Sequence, residues 1–153
     1  MKLYLMQHGE AYAKEVDPER PLTAQGQDDV ERVAIFLKQA GIQLERVIHS
    51  GKLRARQTAE CLANTIAPGV ELERSDIINP NDNPKVFDWQ SESWSRDTLI
   101  VGHLPFMAKL VSHLIADDED ALITAYQPGS IVCLEHENGL WQLDWMIRPE
   151  LLG

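Results

Sequence analysis

The chain has 153 residues and a formal net charge of −10, with 44% hydrophobic and 25% charged residues. This composition is typical of a globular protein, and the length suits one domain over residues 1–153. The acidic balance argues against binding to nucleic acid or to an anionic membrane surface, because both need a basic face. It does not exclude an anionic substrate, since a few arginines in a cleft reverse the local potential.

From the first residues we expect neither a targeting segment nor a membrane segment. Residues 2–6 are too short for the apolar stretch of a signal peptide, and no run approaches the length of a membrane span. Cys61 and Cys133 fall in a predicted helix and a predicted strand without metal-ligand spacing, so we expect buried, reduced thiols. These features predict a cytoplasmic protein.

Hydrophobic periodicity and turn residues predict alternating strands and helices along most of the chain. Thr23 is a candidate N-cap for the first helix, and Gly41 a candidate residue after its end. Strands are predicted at 2–7, 46–49 and 98–102, and two more at 130–135 and 140–146 flank an Asn-Gly turn. Helices are predicted from 24 to about 40, at 53–66 and at 106–116, with a short helix at 84–91. Residues 75–84 are predicted to form a loop.

This order of elements predicts an α/β fold of three layers, α/β/α, with a mostly parallel central sheet and a terminal hairpin. In such sheets ligands bind beyond the carboxyl ends of the strands. His8, His49 and His103 each end or directly follow a predicted strand. We therefore expect chemistry at that edge of the sheet.

Four segments carry candidate functional residues. Gly9 after His8 removes a side chain and lets a ligand approach, although a histidine at a strand end also occurs for structural reasons. The segment at 50–59 opens a helix on basic residues, which is typical of an anion site and equally of a solvated first turn. Arg54 and Arg56 point to different faces of that helix, so they cannot share a pocket. The other two segments are a second Gly-His junction at His103 and the Arg-Pro-Leu-Thr stretch at 20–23.

Metal binding competes with these interpretations for the histidines. No pair of histidines has the short spacing of neighbouring metal ligands, and His113 and His136 are predicted to be a helix-surface residue and a strand-end residue. Only long-range convergence would build a metal site, so we predict none.

Taken in order, the four segments resemble the motifs of the histidine phosphatase superfamily, and most closely those of the short SixA-type phosphohistidine phosphatases. The counterparts are LMQHGEA at 5–11, RPLTAQG at 20–26, HSGKLRARQTAE at 49–60 and VGHLP at 101–105. The family pattern has arginine where this chain has Gln7, and proline where it has Gly51. The resemblance covers nearly the whole chain and implies a phosphoglycerate mutase-like fold.

The resemblance also implies a metal-independent phosphatase that needs no cofactor. His8 would attack phosphorus and carry the phosphoryl group transiently. Arg54 and His103 would bind the phosphoryl oxygens and stabilise charge in the transition state, with Arg20 and Gln7 as further candidates for the phosphate-binding pocket. The implied partner is a protein phosphorylated on histidine, or a small phosphorylated substrate.

The general acid is less well defined. Related enzymes place a carboxylate in the loop that here contains Asp76, which makes Asp76 the candidate, with Glu10 and Asp82 as alternatives. A solvated turn residue fits Asp76 equally well. The imidazole of a phosphohistidine is a better leaving group than an alkoxide, so acid assistance would matter less for such a substrate.

Gln7 keeps alternative functions open. Arginine offers phosphate a charged, forked donor, whereas glutamine offers one neutral amide. The chain is therefore a protein phosphohistidine phosphatase, a phosphate- or phosphoprotein-binding domain with little or no turnover, or a phosphatase of a small metabolite. The compact length leaves little sequence for a lid, which favours a macromolecular substrate and disfavours a mutase, because a mutase must exclude water.

Overall fold

The computed structural model describes residues 1–91 and 94–153, and over these residues the strands form one sheet. The strands are β1 (Lys2–Gln7), β2 (Arg46–His49), β3 (Leu72–Arg74), β4 (Thr98–Gly102), β5 (Ile131–Glu137) and β6 (Leu140–Ile147). The helices are α1 (Ala24–Gln39), α2 (Leu53–Ile66), α3 (Pro84–Ser91) and α4 (Phe106–Ala116), followed by a 3₁₀ turn at Pro149–Leu152.

The sheet has the order β3-β2-β4-β1-β5-β6 and is mostly parallel, as predicted. Strands β3, β2, β4 and β1 pair in parallel, whereas β5 runs antiparallel to β1 and β6 antiparallel to β5. Side chains of a strand alternate between the two faces of a sheet. In β1, Tyr4 and Met6 pack with α1 and α2, and Leu3 and Leu5 pack with α3 and α4. The three-layer α/β/α architecture is therefore confirmed.

The ends of α1 follow the local sequence signals. Thr23 is the N-cap, and its Oγ1 accepts a hydrogen bond from the Gly26 N–H at 2.9 Å. The buried face of the helix carries Val30, Val33, Ala34 and Leu37, at the helical spacing seen in the sequence. The C-cap is Ala40, so Gly41 follows the helix end as predicted.

No local sequence pattern predicts strand β3 or the 3₁₀ turn. β3 has only three residues, Leu-Glu-Arg, and lies at the edge of the sheet with its side chains partly exposed. Such a segment lacks an apolar alternation, and only its parallel pairing with β2 makes it a strand. Its position matters because the loop with Asp76 begins directly after it.

Two expectations about single side chains are wrong. His113 was expected on the helix surface, but it is 9% exposed because α3 packs over that side of α4. Its Nε2 lies 2.8 Å from Asp88 Oδ2. Cys61 was expected to be buried and is only partly so, whereas Cys133 is fully buried. Both thiols are free, and His136 lies near the end of β5 as predicted.

Candidate active site

The carboxyl ends of β1 and β4 bring two histidines together. The strands are hydrogen-bonded neighbours, and the His8 N–H donates to the Gly102 carbonyl at 3.1 Å. The rings of His8 and His103 lie with their centroids 5.0 Å apart and their planes inclined by 50°. The two residues are 8% and 2% exposed, so the rings form a largely buried pair at the edge of the sheet.

The His8 ring is a neutral imidazole with a defined tautomer. Its Nδ1 lies 2.7 Å from the Gly9 carbonyl oxygen, which only accepts, so Nδ1 carries the proton and Nε2 carries a lone pair. Burial lowers the pKa of His8 to about 4. The hydrogen bond to Gly9 raises this pKa, whereas the positive charges of Arg54 and Arg20 lower it further. His8 is therefore a potential nucleophile at neutral pH.

Gly9 holds the segment after β1 close to two helices. A Cβ on this residue would lie 2.8 Å from Val30 Cγ1 and 3.0 Å from the Gly26 carbonyl oxygen, so a larger residue would push the segment away from α1. The Gly9 N–H donates to Thr58 Oγ1 at 3.0 Å, and Thr58 Oγ1 donates to the Arg54 carbonyl at 2.8 Å. Thr58 thereby connects the residue after His8 to the first turn of α2.

One ring nitrogen of His103 contacts Ser50, and the other finds no partner among the residues that the structure describes. Its Nε2 lies 2.6 Å from Ser50 Oγ, while its Nδ1 is buried and without a hydrogen-bond partner in the described parts of the chain. Burial lowers the pKa of His103 to about 3, helped by the nearby charges of His8, Arg54, Lys52 and Arg20. This ring is also neutral at neutral pH.

Three cations lie close enough to His103 for their charges to lower its pKa, and two of them act on His8 as well. Arg54 lies in the first turn of α2, and its Nε is buried without a hydrogen-bond partner among residues 1–91 and 94–153. Arg20 has a φ of 50° and donates from Nε to the Tyr12 carbonyl at 2.9 Å. Lys52 is the N-cap residue of α2. Within the described residues no ion pair ties any of the three to a carboxylate, so positive charge is concentrated beside the two histidines of an acidic protein.

Gln7 is the last residue of β1 and directly precedes His8. It is 8% exposed, and its Oε1 is buried with no hydrogen-bond partner in the portion of the chain that the structure describes. Its backbone is fixed by the Ser130 carbonyl, which accepts from Gln7 N at 3.0 Å, and by the Gly129 N–H, which donates to Gln7 O at 3.1 Å. A neutral amide thus occupies the position at which the family pattern has a guanidinium.

The candidate general acids have other partners. Asp76 is 85% exposed at its side chain and pairs with Arg74 at 3.5 Å. Glu10 Oε2 accepts from Thr23 Oγ1 at 2.9 Å, and Asp82 Oδ2 accepts from the Asn79 N–H at 2.8 Å. Over the described residues no hydrogen bond or ion pair joins these carboxylates to the two histidines.

His49 and Arg56 are two further basic residues of the third motif segment, and their contacts are with other residues than His8 and His103. His49 Nδ1 accepts from the Gly51 N–H at 3.0 Å, so this ring supports the turn after β2. Arg56 pairs with Glu60 at 3.4 Å, on another face of α2 from Arg54. Gly51 has a φ of 89°, which proline cannot adopt, so this turn differs locally from the family pattern.

Ser50, Lys52 and Thr58 were not singled out from the sequence. All three fall within the third motif segment, but nothing in the sequence indicates that the Ser50 hydroxyl meets a histidine from a distant strand. Across residues 1–91 and 94–153 no group of three or more His, Cys, Asp or Glu side chains is arranged to hold a metal ion. Among the same residues no helix has the length and apolar character needed to cross a membrane.

Comparisons with known proteins bear on the family and the fold. The family model for the histidine phosphatase superfamily (branch 1) matches residues 3–76. Phosphohistidine phosphatase SixA of Escherichia coli is 27% identical over 154 residues, which cover 97% of this chain and 94% of that protein. The structure of the protein histidine phosphatase SixA complexed with tungstate superposes with a TM-score of 0.87 at 25% identity over 100% of both chains. A phosphoglycerate mutase of Bacillus anthracis gives a TM-score of 0.76 at 11% identity, over 99% of this chain and 95% of that one, and shows the same fold.

Proposed function

The chain belongs to the histidine phosphatase superfamily, and from this we propose that it hydrolyses phosphohistidine in proteins through a phosphoryl group carried on His8. The observation that carries the proposal is the state of the His8 ring. Its Nδ1 proton is held by the Gly9 carbonyl, which leaves the lone pair on Nε2, and the cations of Arg54 and Arg20 lie close enough to lower the pKa of this ring.

In the first step, the Nε2 lone pair of His8 would form a bond to phosphorus while the bond between phosphorus and the substrate nitrogen breaks. The bonding electrons leave with the substrate imidazole, which takes up a proton from solvent. In the second step, water attacks the phosphoryl group on His8, the N–P bond breaks, and its electron pair restores the lone pair. The products are the free histidine of the substrate protein and inorganic phosphate.

The residues around His8 are suited to stabilising the transferred phosphoryl group. Arg54 Nε and His103 Nδ1 are buried polar atoms without partners in the described chain, and buried polar atoms normally have partners. Phosphoryl oxygens would be such partners, and the charges of Arg54, Arg20 and Lys52 would oppose the negative charge of the transition state. These side chains provide the positive charge that phosphoryl transfer requires.

The positions of the carboxylates favour a substrate with a good leaving group. Asp76 is 85% exposed and paired with Arg74, and no hydrogen bond or ion pair within the described residues joins it to His8 or His103. An alkoxide leaving group needs a proton during bond breaking, whereas an imidazole needs less help. A phosphohistidine substrate therefore suits the site better than a phosphate monoester, with Asp76 as an auxiliary acid at most.

The relatives support the same substrate class. The E. coli relative is a phosphohistidine phosphatase, and the SixA structure is a complex with tungstate, a tetrahedral oxyanion with the shape of phosphate. We expect this chain to bind tungstate and phosphate in the pocket formed by His8, Arg54 and His103.

Gln7 favours a second candidate function, a phosphate- or phosphoprotein-binding domain with weak turnover. The neutral amide removes one charged donor from the pocket. Loss of one such donor costs on the order of 10²–10³ in rate in other enzymes. Binding would survive this loss better than catalysis, because Arg54 and Arg20 remain.

One assay separates the two functions. Purified protein is given a protein phosphorylated on histidine, a phosphoserine peptide and an aryl phosphate, each with EDTA present. We expect release of phosphate from phosphohistidine at a rate well above that from the two monoesters. Binding of the phosphohistidine protein without release of phosphate would support the binding domain instead, and preference for the aryl phosphate would contradict the proposed substrate class.

A further inference from the structure

Ser50 and His103 form a buried pair that the proposed phosphoryl chemistry does not explain. Ser50 directly follows β2 and His103 directly follows β4, and these two strands are paired in the sheet. Ser50 Oγ lies 2.6 Å from His103 Nε2, and the residues are only 4% and 2% exposed. The hydrogen bond is thus fixed by two adjacent strands and shielded from water.

The direction of this hydrogen bond follows from a second neighbour of Ser50. The backbone N–H of Lys52 lies 3.4 Å from the same Oγ, and an N–H group only donates. The Ser50 hydroxyl proton is then available to His103 Nε2, which gives the buried hydroxyl one donor and one acceptor partner. With the proton on Nε2, Ser50 Oγ would accept twice and its own proton would have no acceptor in the described portion of the chain.

We infer that Ser50 is a positioning residue: it donates to His103 Nε2 and thereby fixes the ring proton of His103 on Nδ1. What this proton does rests on the proposed function. Nδ1 is buried without a partner among the described residues, and its ring lies 5.0 Å from the ring of His8. An Nδ1–H would donate to a phosphoryl oxygen held there, whereas the other tautomer would turn a lone pair toward that oxygen.

The two histidines therefore hold opposite tautomers. Gly9 O accepts from Nδ1 of His8 and leaves Nε2 with a lone pair, while Ser50 binds Nε2 of His103 and leaves Nδ1 with a proton. Burial keeps both rings neutral at neutral pH, so the tautomer decides what each ring presents to the substrate. Ser50 would act on the rate without contacting the substrate.

The test compares Ser50→Ala with Ser112→Ala. Ser112 is 2% exposed, lies in α4 and donates to the Ala121 carbonyl at 2.6 Å, so this control removes an equally buried hydroxyl elsewhere. Long-range ¹H–¹⁵N NMR on histidine-labelled protein reads the ring tautomers without substrate. We expect His103 to be protonated on Nδ1 in the parent chain and in Ser112→Ala, and to lose this preference in Ser50→Ala.

Turnover provides the second measurement. In Ser50→Ala, kcat on phosphohistidine should fall by roughly tenfold with a smaller change in KM, because the lost donor acts mainly in the transition state. Ser50→Thr keeps the hydroxyl, so in this variant His103 should remain protonated on Nδ1 as in the parent chain. An Nε2-protonated His103 in the parent chain, or an unchanged tautomer in Ser50→Ala, overturns the inference. If only the proposed function is wrong, the result is different: the parent chain hydrolyses no phosphohistidine, but its His103 is still protonated on Nδ1.

Discussion

His8 and His103 face each other across the ends of two neighbouring strands, with ring centroids 5.0 Å apart. Each ring has one nitrogen engaged by the protein, His8 through Gly9 and His103 through Ser50. Under the proposed function, the other nitrogen of His8 would attack phosphorus and the other nitrogen of His103 would donate to a phosphoryl oxygen.

Arg54 is expected to dominate anion binding. Arg54→Ala removes a partly buried guanidinium, whose Nε is buried, and should weaken tungstate or phosphate binding by roughly 10- to 100-fold, because charge-assisted hydrogen bonds are worth about 1.5–3 kcal/mol each. Arg56→Ala is the matched control, since Arg56 has the same charge in the same helix but is exposed and paired with Glu60. Isothermal titration measures both. Equal binding by the two variants would show that Arg54 does not face the anion.

Thr58 is expected to matter for both stability and activity. Thr58→Val removes the acceptor of the Gly9 N–H and should lower the free energy of unfolding by about 1–3 kcal/mol, because a buried donor is left unpaired. Thr65→Val in the same helix is the control, since Thr65 Oγ1 makes one local bond, to the Cys61 carbonyl at 3.2 Å. Urea denaturation and turnover are measured on both. If Thr58→Val and Thr65→Val lose similar amounts of unfolding free energy and turnover, the hydrogen bond from Gly9 to Thr58 has no particular importance.

The sequence was sufficient to predict the architecture, because strands such as β1 and β4 are continuous apolar runs and α1 has both of its end signals. It also identified His8, Arg54 and His103 as residues that follow or begin neighbouring elements. It missed β3, whose three residues become a strand only by pairing with β2. The contact between Ser50 and His103 also depends on which strands are neighbours, which no local pattern specifies.

The two neutral histidines should make the protein less stable in acid. Their pKa values of about 4 for His8 and about 3 for His103 lie below the ordinary value of 6.5. Below about pH 6.5 the unfolded chain therefore binds protons at these rings that the native state does not bind. Their contribution to the free energy of unfolding is complete above that pH and is lost as the pH falls toward 4 and then 3.

Urea denaturation at a series of pH values from about 7 to about 4 measures how the free energy of unfolding changes with pH. The double variant His8→Gln, His103→Gln should show a shallower fall in the free energy of unfolding than the parent chain. Carboxylates titrate in both proteins, so the difference between the two curves isolates the histidines. Identical slopes would contradict the assignment of buried, neutral rings.

Gln7→Arg is expected to raise turnover. It adds a charged donor beside the phosphoryl group, and we expect kcat/KM on phosphohistidine to rise by about tenfold. The bound phosphoryl group would be the partner of the new charge, which offsets its desolvation. Gln7→Met, of similar length without a polar end, is the control and should not raise the rate.

Steady-state kinetics and thermal melts of the three proteins decide the role of Gln7. Lower activity in Gln7→Arg at an unchanged melting temperature would show that this pocket works with a neutral amide. A large loss of melting temperature in Gln7→Arg would show that the buried charge finds no partner. Either result would contradict the expected gain in turnover.

If His8 carries the phosphoryl group during turnover, a phosphorylated His8 can be trapped and identified. The protein is mixed with a phosphohistidine substrate, quenched in alkali and analysed by peptide mass spectrometry for a phosphoryl group on residue 8. We expect the adduct in the parent chain and in the control variant His136→Ala. His136 lies near the end of β5, and its ring stacks on Trp141. His8→Ala should give neither adduct nor turnover while it stays folded. Full turnover in His8→Ala, or a phosphoryl group found only on another residue, would contradict the account.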